Sequence, residues 1–113
     1  MKKVKLTKVT PDEIRVMQEQ IFHYSEALRW NIKNLDIEDF LNVLASMDIG
    51  FRLWLTFRKR VESYQDKFTL TLKVSEAVVL LKCFMWPGEN RTDYEKNVTL
   101  KYKTIIDQQL KNI

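Results

Sequence analysis

Apolar and charged residues alternate over the first nine positions of the chain. Val4 and Leu6 fall on one side of an extended segment, and lysines occupy four of the other positions. A period of two predicts a β-strand, and lysines are typical of edge strands, where they discourage pairing with other chains. We therefore expect a short edge strand over residues 2–9, in which Val9 faces away from Val4 and Leu6.

The next two segments carry apolar residues at spacings of three and four, as amphipathic helices do. Thr10 and Glu13 form a Thr-x-x-Glu capping box, and the spacing that follows predicts a helix over about 11–33. A second helix is expected over about 36–48, and Gly50 would allow the chain to turn after it. The predicted buried stripes are Ile14, Met17, Ile21, Tyr24 and Leu28 in the first helix, and Ile37, Phe40, Leu41, Leu44 and Met47 in the second.

Residues 51–58 fit both kinds of secondary structure. Their apolar and polar positions alternate, which favours a strand, whereas a helix on the stripe Phe51, Trp54 and Leu55 would expose Leu53 and Phe57. The neighbouring strand pattern at 67–74 decides the choice. An antiparallel hairpin of the two segments brings both apolar sets to the same side, so we predict a hairpin here.

Two further helices are expected after this hairpin. Ser75 is the predicted cap of the third helix, which stops at the Trp-Pro-Gly turn of residues 86–88, and Thr92 opens a capping box for the last helix. The element order is therefore β-α-α-β-β-α-α. This is a predominantly helical α+β fold, a single domain over residues 1–113, with helices covering a small antiparallel sheet. The alternative is an all-α bundle in which residues 51–66 are helical.

Composition limits the class of protein. Hydrophobic residues make up 45% of the 113 residues, which is enough to form a core without disulfides. The single cysteine, Cys83, excludes a disulfide bond within the chain. No apolar run follows the charged residues 1–6, so we expect no signal peptide. The longest apolar run, residues 77–81, is far shorter than the roughly 20 residues of a membrane span. We expect a cytoplasmic protein that makes no contact with membranes.

The sequence contains no recognisable catalytic or metal-binding constellation. His23, the only histidine, sits between aromatic residues with no nucleophile or carboxylate implied nearby. Cys83 lies toward the C-terminal end of an apolar helix, where the environment disfavours a thiolate, so a buried small hydrophobe is expected. Two glycines cannot form a phosphate-binding loop. We therefore predict that the protein is not an enzyme and uses no cofactor, metal or small-molecule substrate.

The predicted hairpin would have one apolar face and one basic face. The basic face is a candidate binding surface, and its residues are Arg52, Trp54, Arg58, Arg60 and Lys73. It has three interpretations. It is a solvated surface with arginine stems lying over the tryptophan, a protein interface rich in hot-spot residue types, or a nucleic-acid platform that neutralises phosphates and stacks a base.

Three functional hypotheses follow from these observations. The leading one is a non-enzymatic protein–protein interaction or assembly module, with a protein partner or further copies of itself. It rests on the missing catalytic parts and on large apolar residues such as Phe22, Trp30 and Trp86, which a small domain cannot all bury. The alternatives are a small accessory protein that binds nucleic acid through the basic sheet face, and an enzyme with an unrecognised site, such as one involving His23.

Overall fold

A two-stranded sheet and four α-helices make up the part of the chain that the computed structural model describes, residues 2–63, 65–86 and 91–113. The elements are β1 (Val4–Val9), α1 (Pro11–Asn31), α2 (Ile37–Val61), β2 (Phe68–Leu72), α3 (Val74–Met85) and α4 (Asp93–Lys111), and a 3₁₀ turn (Ile32–Asn34) joins α1 to α2. About 75% of the described residues are helical. The predicted fold class, a predominantly helical α+β fold with a small antiparallel sheet, is confirmed.

Local signals set the starts of three helices as predicted. The Thr10 hydroxyl accepts from the Glu13 N–H at 3.2 Å, and the Glu13 carboxylate accepts from the Thr10 N–H at 3.0 Å. The same reciprocal pair links Thr92 and Glu95, both distances being 3.1 Å. Asp36 caps α2 by accepting from the Asp39 N–H at 2.9 Å. Each contact satisfies a backbone donor that the first turn of a helix leaves unpaired.

The third helix begins two residues earlier than predicted. Lys73, not Ser75, is the N-cap of α3, and its backbone N–H donates to the Glu76 carboxylate at 2.8 Å. A glutamate at the third position of a helix can therefore fix the start without a hydroxyl at the cap. Of the predicted Trp-Pro-Gly stop signal at residues 86–88, Pro87 and Gly88 lie outside the described part of the chain, and α3 ends at Met85 with Trp86 as its C-cap.

The prediction of a strand over residues 51–58 is wrong, because α2 runs through this segment as 25 continuous helical residues. The helix buries Leu53 and Phe57, which are 1% and 0% exposed, and it exposes Phe51 and Leu55, which are 61% and 38% exposed. Gly50 is a buried helical residue and makes no turn. Residues 50, 53 and 57 share one side of a helix because 3.6 residues complete a turn.

The true partner of β2 is β1, and the two strands pair antiparallel. Leu6 faces Leu70, and Val9 faces Phe68, with an irregularity in register between these pairs. At this bulge Lys8 adopts a φ of 55°, a left-handed conformation that is uncommon for a side chain other than glycine. The predicted orientation of Val9, facing away from Leu6, is therefore wrong. Because of the bulge, Val9 is fully buried on the same side as Leu6.

One face of the sheet packs against the helices and the other is exposed, as the alternating burial along both strands shows. The core also receives α3, α4, the first half of α1 and the second half of α2. Between Phe22 and Ile49, no residue whose side chain the structure describes is fully buried. The distal halves of α1 and α2, together with their connection, therefore form a helical arm (residues 22–49) that has no fully buried side chain among those described, although Tyr24 and Ile49 pack against the core.

Candidate interaction surface

The predicted basic sheet face does not exist, because four of its five residues lie on α2. Successive helical residues differ in direction by about 100°, so residues that would alternate along a strand spread around the helix instead. Arg52 lies beside Asp48, with 3.3 Å between Nε and Oδ2. Arg60 is exposed near the C-terminal end of α2. The fifth residue, Lys73, is the N-cap of α3 and borders a shallow depression with Lys2 and Lys3.

Trp54 and Arg58 are the one predicted pair that α2 keeps together. One helical turn separates them, and the Arg58 guanidinium carbon lies 5.7 Å from the centroid of the Trp54 ring. Arg58 Nε also lies 3.3 Å from a carboxylate oxygen of Glu62. The arginine is therefore engaged with an aromatic ring and an acid of its own helix, which is the solvated arrangement that arginine stems commonly adopt.

A different set of side chains forms a continuous exposed surface on α2, on the side opposite its core-facing residues. Five of the six are large and apolar, with exposures of 72%, 56%, 42%, 61% and 38% in chain order. The successive spacings are four, three, four, three and four, which is the heptad spacing of helices that pair side by side. We call this set the α2 stripe, and its residues are Ile37, Leu41, Leu44, Asp48, Phe51 and Leu55.

A groove between α1 and α2 extends this apolar surface. Phe22, which is 53% exposed, faces Met47, Phe51 and Trp54 across the groove. Phe22 and Trp54 also line the neighbouring depression, so the two hollows adjoin at these side chains. Phe51 belongs both to the groove and to the α2 stripe. Together they make an apolar area larger than the isolated hydrophobic residues common on protein surfaces.

The charges of α2 are divided by sign between its two halves. Asp36, Glu38, Asp39 and Asp48 are the charged residues from its N-cap to residue 48, and Arg52, Arg58, Lys59 and Arg60 are those from residue 49 to Val61, after which the C-cap Glu62 is acidic. Acidic residues near a helix N-terminus and basic residues near a C-terminus stabilise the helix through its dipole. The same arrangement gives the α2 stripe an acidic end and a basic end.

The best-connected buried polar group outside this surface is the Glu13 carboxylate. It accepts from the Tyr102 hydroxyl at 2.8 Å and from Lys101 Nζ at 3.1 Å, in addition to its capping contact with Thr10. Burial raises the pKa of Glu13, but these hydrogen bonds and the charge of Lys101 outweigh burial, so the net pKa is lowered. This cluster joins α1 to α4.

A second polar network closes the C-terminal end of α3. Arg91 donates to the buried Gln20 side chain at 2.7 Å and to the backbone carbonyl of Cys83 at 3.1 Å. The Cys83 side chain is 1% exposed, as predicted, and burial raises the pKa of its thiol to about 12.

His23 is exposed, and its ring stands edge-on to Phe22 at 5.7 Å. We interpret these contacts as structural, because they pack side chains together and pair polar groups.

Within residues 2–63, 65–86 and 91–113, no three His, Cys, Asp or Glu side chains are grouped so that they could hold a metal ion. By length and composition α2 meets the criterion for a membrane-spanning helix, and only 17% of the window that meets it is buried. Mostly buried core helices of globular proteins meet the same criterion, whereas the residues that α2 buries in the core are Gly50, Leu53 and Phe57.

Comparison with known proteins adds no functional information. No protein-family model, no curated protein sequence and no solved structure matches the chain.

Sequence reasoning missed the α2 stripe because it assigned Ile37, Leu41 and Leu44 to the core and ended the helix near Asp48. The signal was present, since the spacing of three and four continues without a break through Asp48 to Leu55. A strict heptad that crosses a glycine favours one long helix with two different faces.

Proposed function

We propose that the protein is a non-enzymatic assembly module that associates with further copies of itself through the outer face of α2. The observation that supports this proposal is the α2 stripe, five large apolar side chains that the fold leaves exposed on one side of a single helix. Contiguous apolar surface of this kind marks interaction sites, because covering it releases water from apolar groups.

The geometry of the stripe favours a helix as its occupant. A heptad repeat presents side chains as knobs along one line, and the holes between them accept the knobs of a facing helix. A second copy supplies such a helix with the same length and the same spacing. The groove beside the stripe, lined by Phe22 and Trp54, extends the apolar surface available to it.

The nucleic-acid alternative loses the surface on which it was based. It required a sheet face with cations around an exposed tryptophan, and α2 places Trp54 in the groove toward α1 with Arg58 over its ring. The remaining basic residues at the end of α2 complement the helix dipole. We therefore retain self-association as the single proposed function.

The first prediction is that the protein associates and that a charge in the α2 stripe prevents this. In sedimentation equilibrium we expect the apparent mass to rise with concentration above the 13.6 kDa of one chain. Leu41→Glu should weaken association at least about tenfold, because fully burying one leucine is worth about 1.5–3 kcal/mol. The stripe would lose that contribution in both copies.

Leu100→Glu is the matched control. Leu100 is exposed to a similar extent as Leu41, 62% against 56%, but it lies on α4, so the same substitution there should leave association unchanged. A wild-type mass of one chain at every concentration would refute self-association. Equal effects of the two substitutions would remove the α2 stripe as its surface.

A further inference from the structure

The α2 stripe is close to symmetric about its own midpoint, residue 46. Ile37 and Leu55 are each nine positions from it, Leu41 and Phe51 five positions, and Leu44 and Asp48 two positions. If a second α2 runs in the opposite direction with its residue 46 beside this one, every position of the stripe meets its counterpart. Three kinds of layer result, each occurring twice, and two of the three are wholly apolar: Ile37 with Leu55, Leu41 with Phe51, and Leu44 with Asp48.

The positions that flank the stripe fit the same arrangement. In antiparallel pairs the residue after each d position of the heptad faces its equivalent on the second helix, and here those residues are Glu38, Ala45 and Arg52. Glu38 then lies beside Arg52 of the second copy, and this ion pair occurs twice by symmetry. Ala45 meets Ala45 at the centre, where a small side chain lets the two helices approach closely.

Whole-helix charge points to the same orientation. In this register the acidic segment from Asp36 to Asp48 lies along residues 44–56 of the second helix, where Arg52 is the basic residue, and Arg58 of the second copy falls opposite residue 34, within one helical turn of Asp36. A parallel pair would set acid beside acid and base beside base. It would also place the two Asp48 carboxylates in one layer of the interface, where burying like charges is costly.

We infer that two copies of the chain pair through α2 in antiparallel orientation, about a twofold axis that passes near residue 46. This deepens the proposed function, on which it rests, by naming the partner and its register. The interface is isologous, as in most homodimers, since each copy contributes the same surface. Asp48 then acts as the polar residue that fixes the register, at some cost in affinity.

Cross-linking between variants that each carry one added, exposed cysteine tests the orientation directly. Ile37→Cys and Leu55→Cys proteins would each be treated with a short bis-maleimide, alone and mixed. In the proposed dimer the two Ile37→Cys sites lie about 27 Å apart along the helices, so neither variant should cross-link alone and only the mixture should. Wild type is the control, since its one cysteine, Cys83, is buried.

Each other result of this experiment overturns the inference. Cross-linking of either variant with itself, at wild-type affinity, would show a parallel pair and would leave the proposed function intact. Association without any cross-link would place the interface elsewhere on the molecule. A wild-type protein that stays monomeric in buffer but sediments with phosphatidylcholine vesicles would refute both proposals in favour of membrane binding.

Charge reversal gives a second, independent test of the register. Glu38→Arg and Arg52→Glu should each weaken association about threefold to tenfold, because each creates two like-charge contacts near the surface. The double variant restores opposite charges in both contacts and should regain most of the wild-type affinity. Failure of the double variant to recover, with helical content unchanged by circular dichroism, would contradict the pairing of Glu38 with Arg52.

Discussion

At the scale of single residues, Glu13 shows how a local signal acquires a long-range role. Its capping of α1 was predictable, because Thr10 and Glu13 are three positions apart in the sequence. Its contacts with Lys101 and Tyr102 were not, because those residues are 88 and 89 positions away and only the tertiary packing of α4 brings them close. The same carboxylate therefore stabilises a helix start and the contact between two helices.

The lowered pKa of Glu13 predicts a direction of change with pH. Because the folded state holds this carboxyl ionised more strongly than the unfolded state, the contribution to stability is fully present above the ordinary glutamate pKa of 4.5 and is lost as the pH falls through the lower pKa of the folded state. Urea unfolding at pH 7 and at about pH 3 should show this loss. Glu13→Gln should unfold more easily at pH 7 by about 1–3 kcal/mol and should lose less stability on acidification.

Glu19→Gln provides the control for this prediction, since Glu19 lies exposed on the same helix. We expect its stability and its pH dependence to match those of wild type. An equal pH dependence in wild type and Glu13→Gln would mean that other carboxyl groups govern the acid sensitivity.

At the scale of elements, the sequence pattern led to a wrong prediction in α2, where residues 51–58 are helical and not a strand. Leu53 and Phe57 are four positions apart, so they fit one face of a strand and one face of a helix equally well. Gly50 favoured the prediction that the helix ends before residue 50, since glycine is a poor helix former. Tertiary packing decides between strand and helix for this segment. A Cβ at Gly50 would lie 3.4 Å from Ile21 and 3.7 Å from Val79, so α1 and α3 pack closely against α2 at this point.

The continuity of α2 predicts that Gly50→Ala is tolerated or stabilising. The Ala Cβ would make ordinary van der Waals contacts with Ile21 and Val79, and alanine favours the helical state over glycine by about 0.8–1 kcal/mol. Thermal or urea unfolding at one low protein concentration would measure the gain. Gly50→Leu, which exceeds the available space, should instead destabilise by about 1–3 kcal/mol. A clear loss of stability in Gly50→Ala would contradict a continuous, accommodating helix.

At the scale of the whole molecule, composition predicted exposed aromatic surface but not its location. Trp30 is 84% exposed, Phe22 53% and Trp86 37%, as expected from a small domain with more large apolar groups than its core can hold. Of the five predicted site residues, only Trp54 and Arg58 lie together in the way a surface site requires. The α2 stripe could not be placed beforehand, because exposure depends on which sides of α2 the other helices cover.

The division between core and helical arm predicts a division in local stability. Residues 22–49 include no fully buried side chain among those described, so less buried apolar surface opposes their local opening than opposes that of the core. In hydrogen exchange followed by mass spectrometry, backbone amides of the arm should exchange faster than those of α3 and the sheet. Raising the protein concentration should slow exchange in α2 but not in α4, and uniform exchange across both regions would contradict this division.

The pairing of β1 with β2 has a consequence for synthesis. Paired residues in the two strands are separated by 59 to 68 positions, so at roughly 5–20 residues per second the first strand waits about 3–14 s on the ribosome before its partner is made. During that interval its hydrogen-bonding edge is open to other nascent chains. The lysines at positions 2, 3, 5 and 8 keep that edge charged, which protects the unfinished chain from aggregation until β2 emerges.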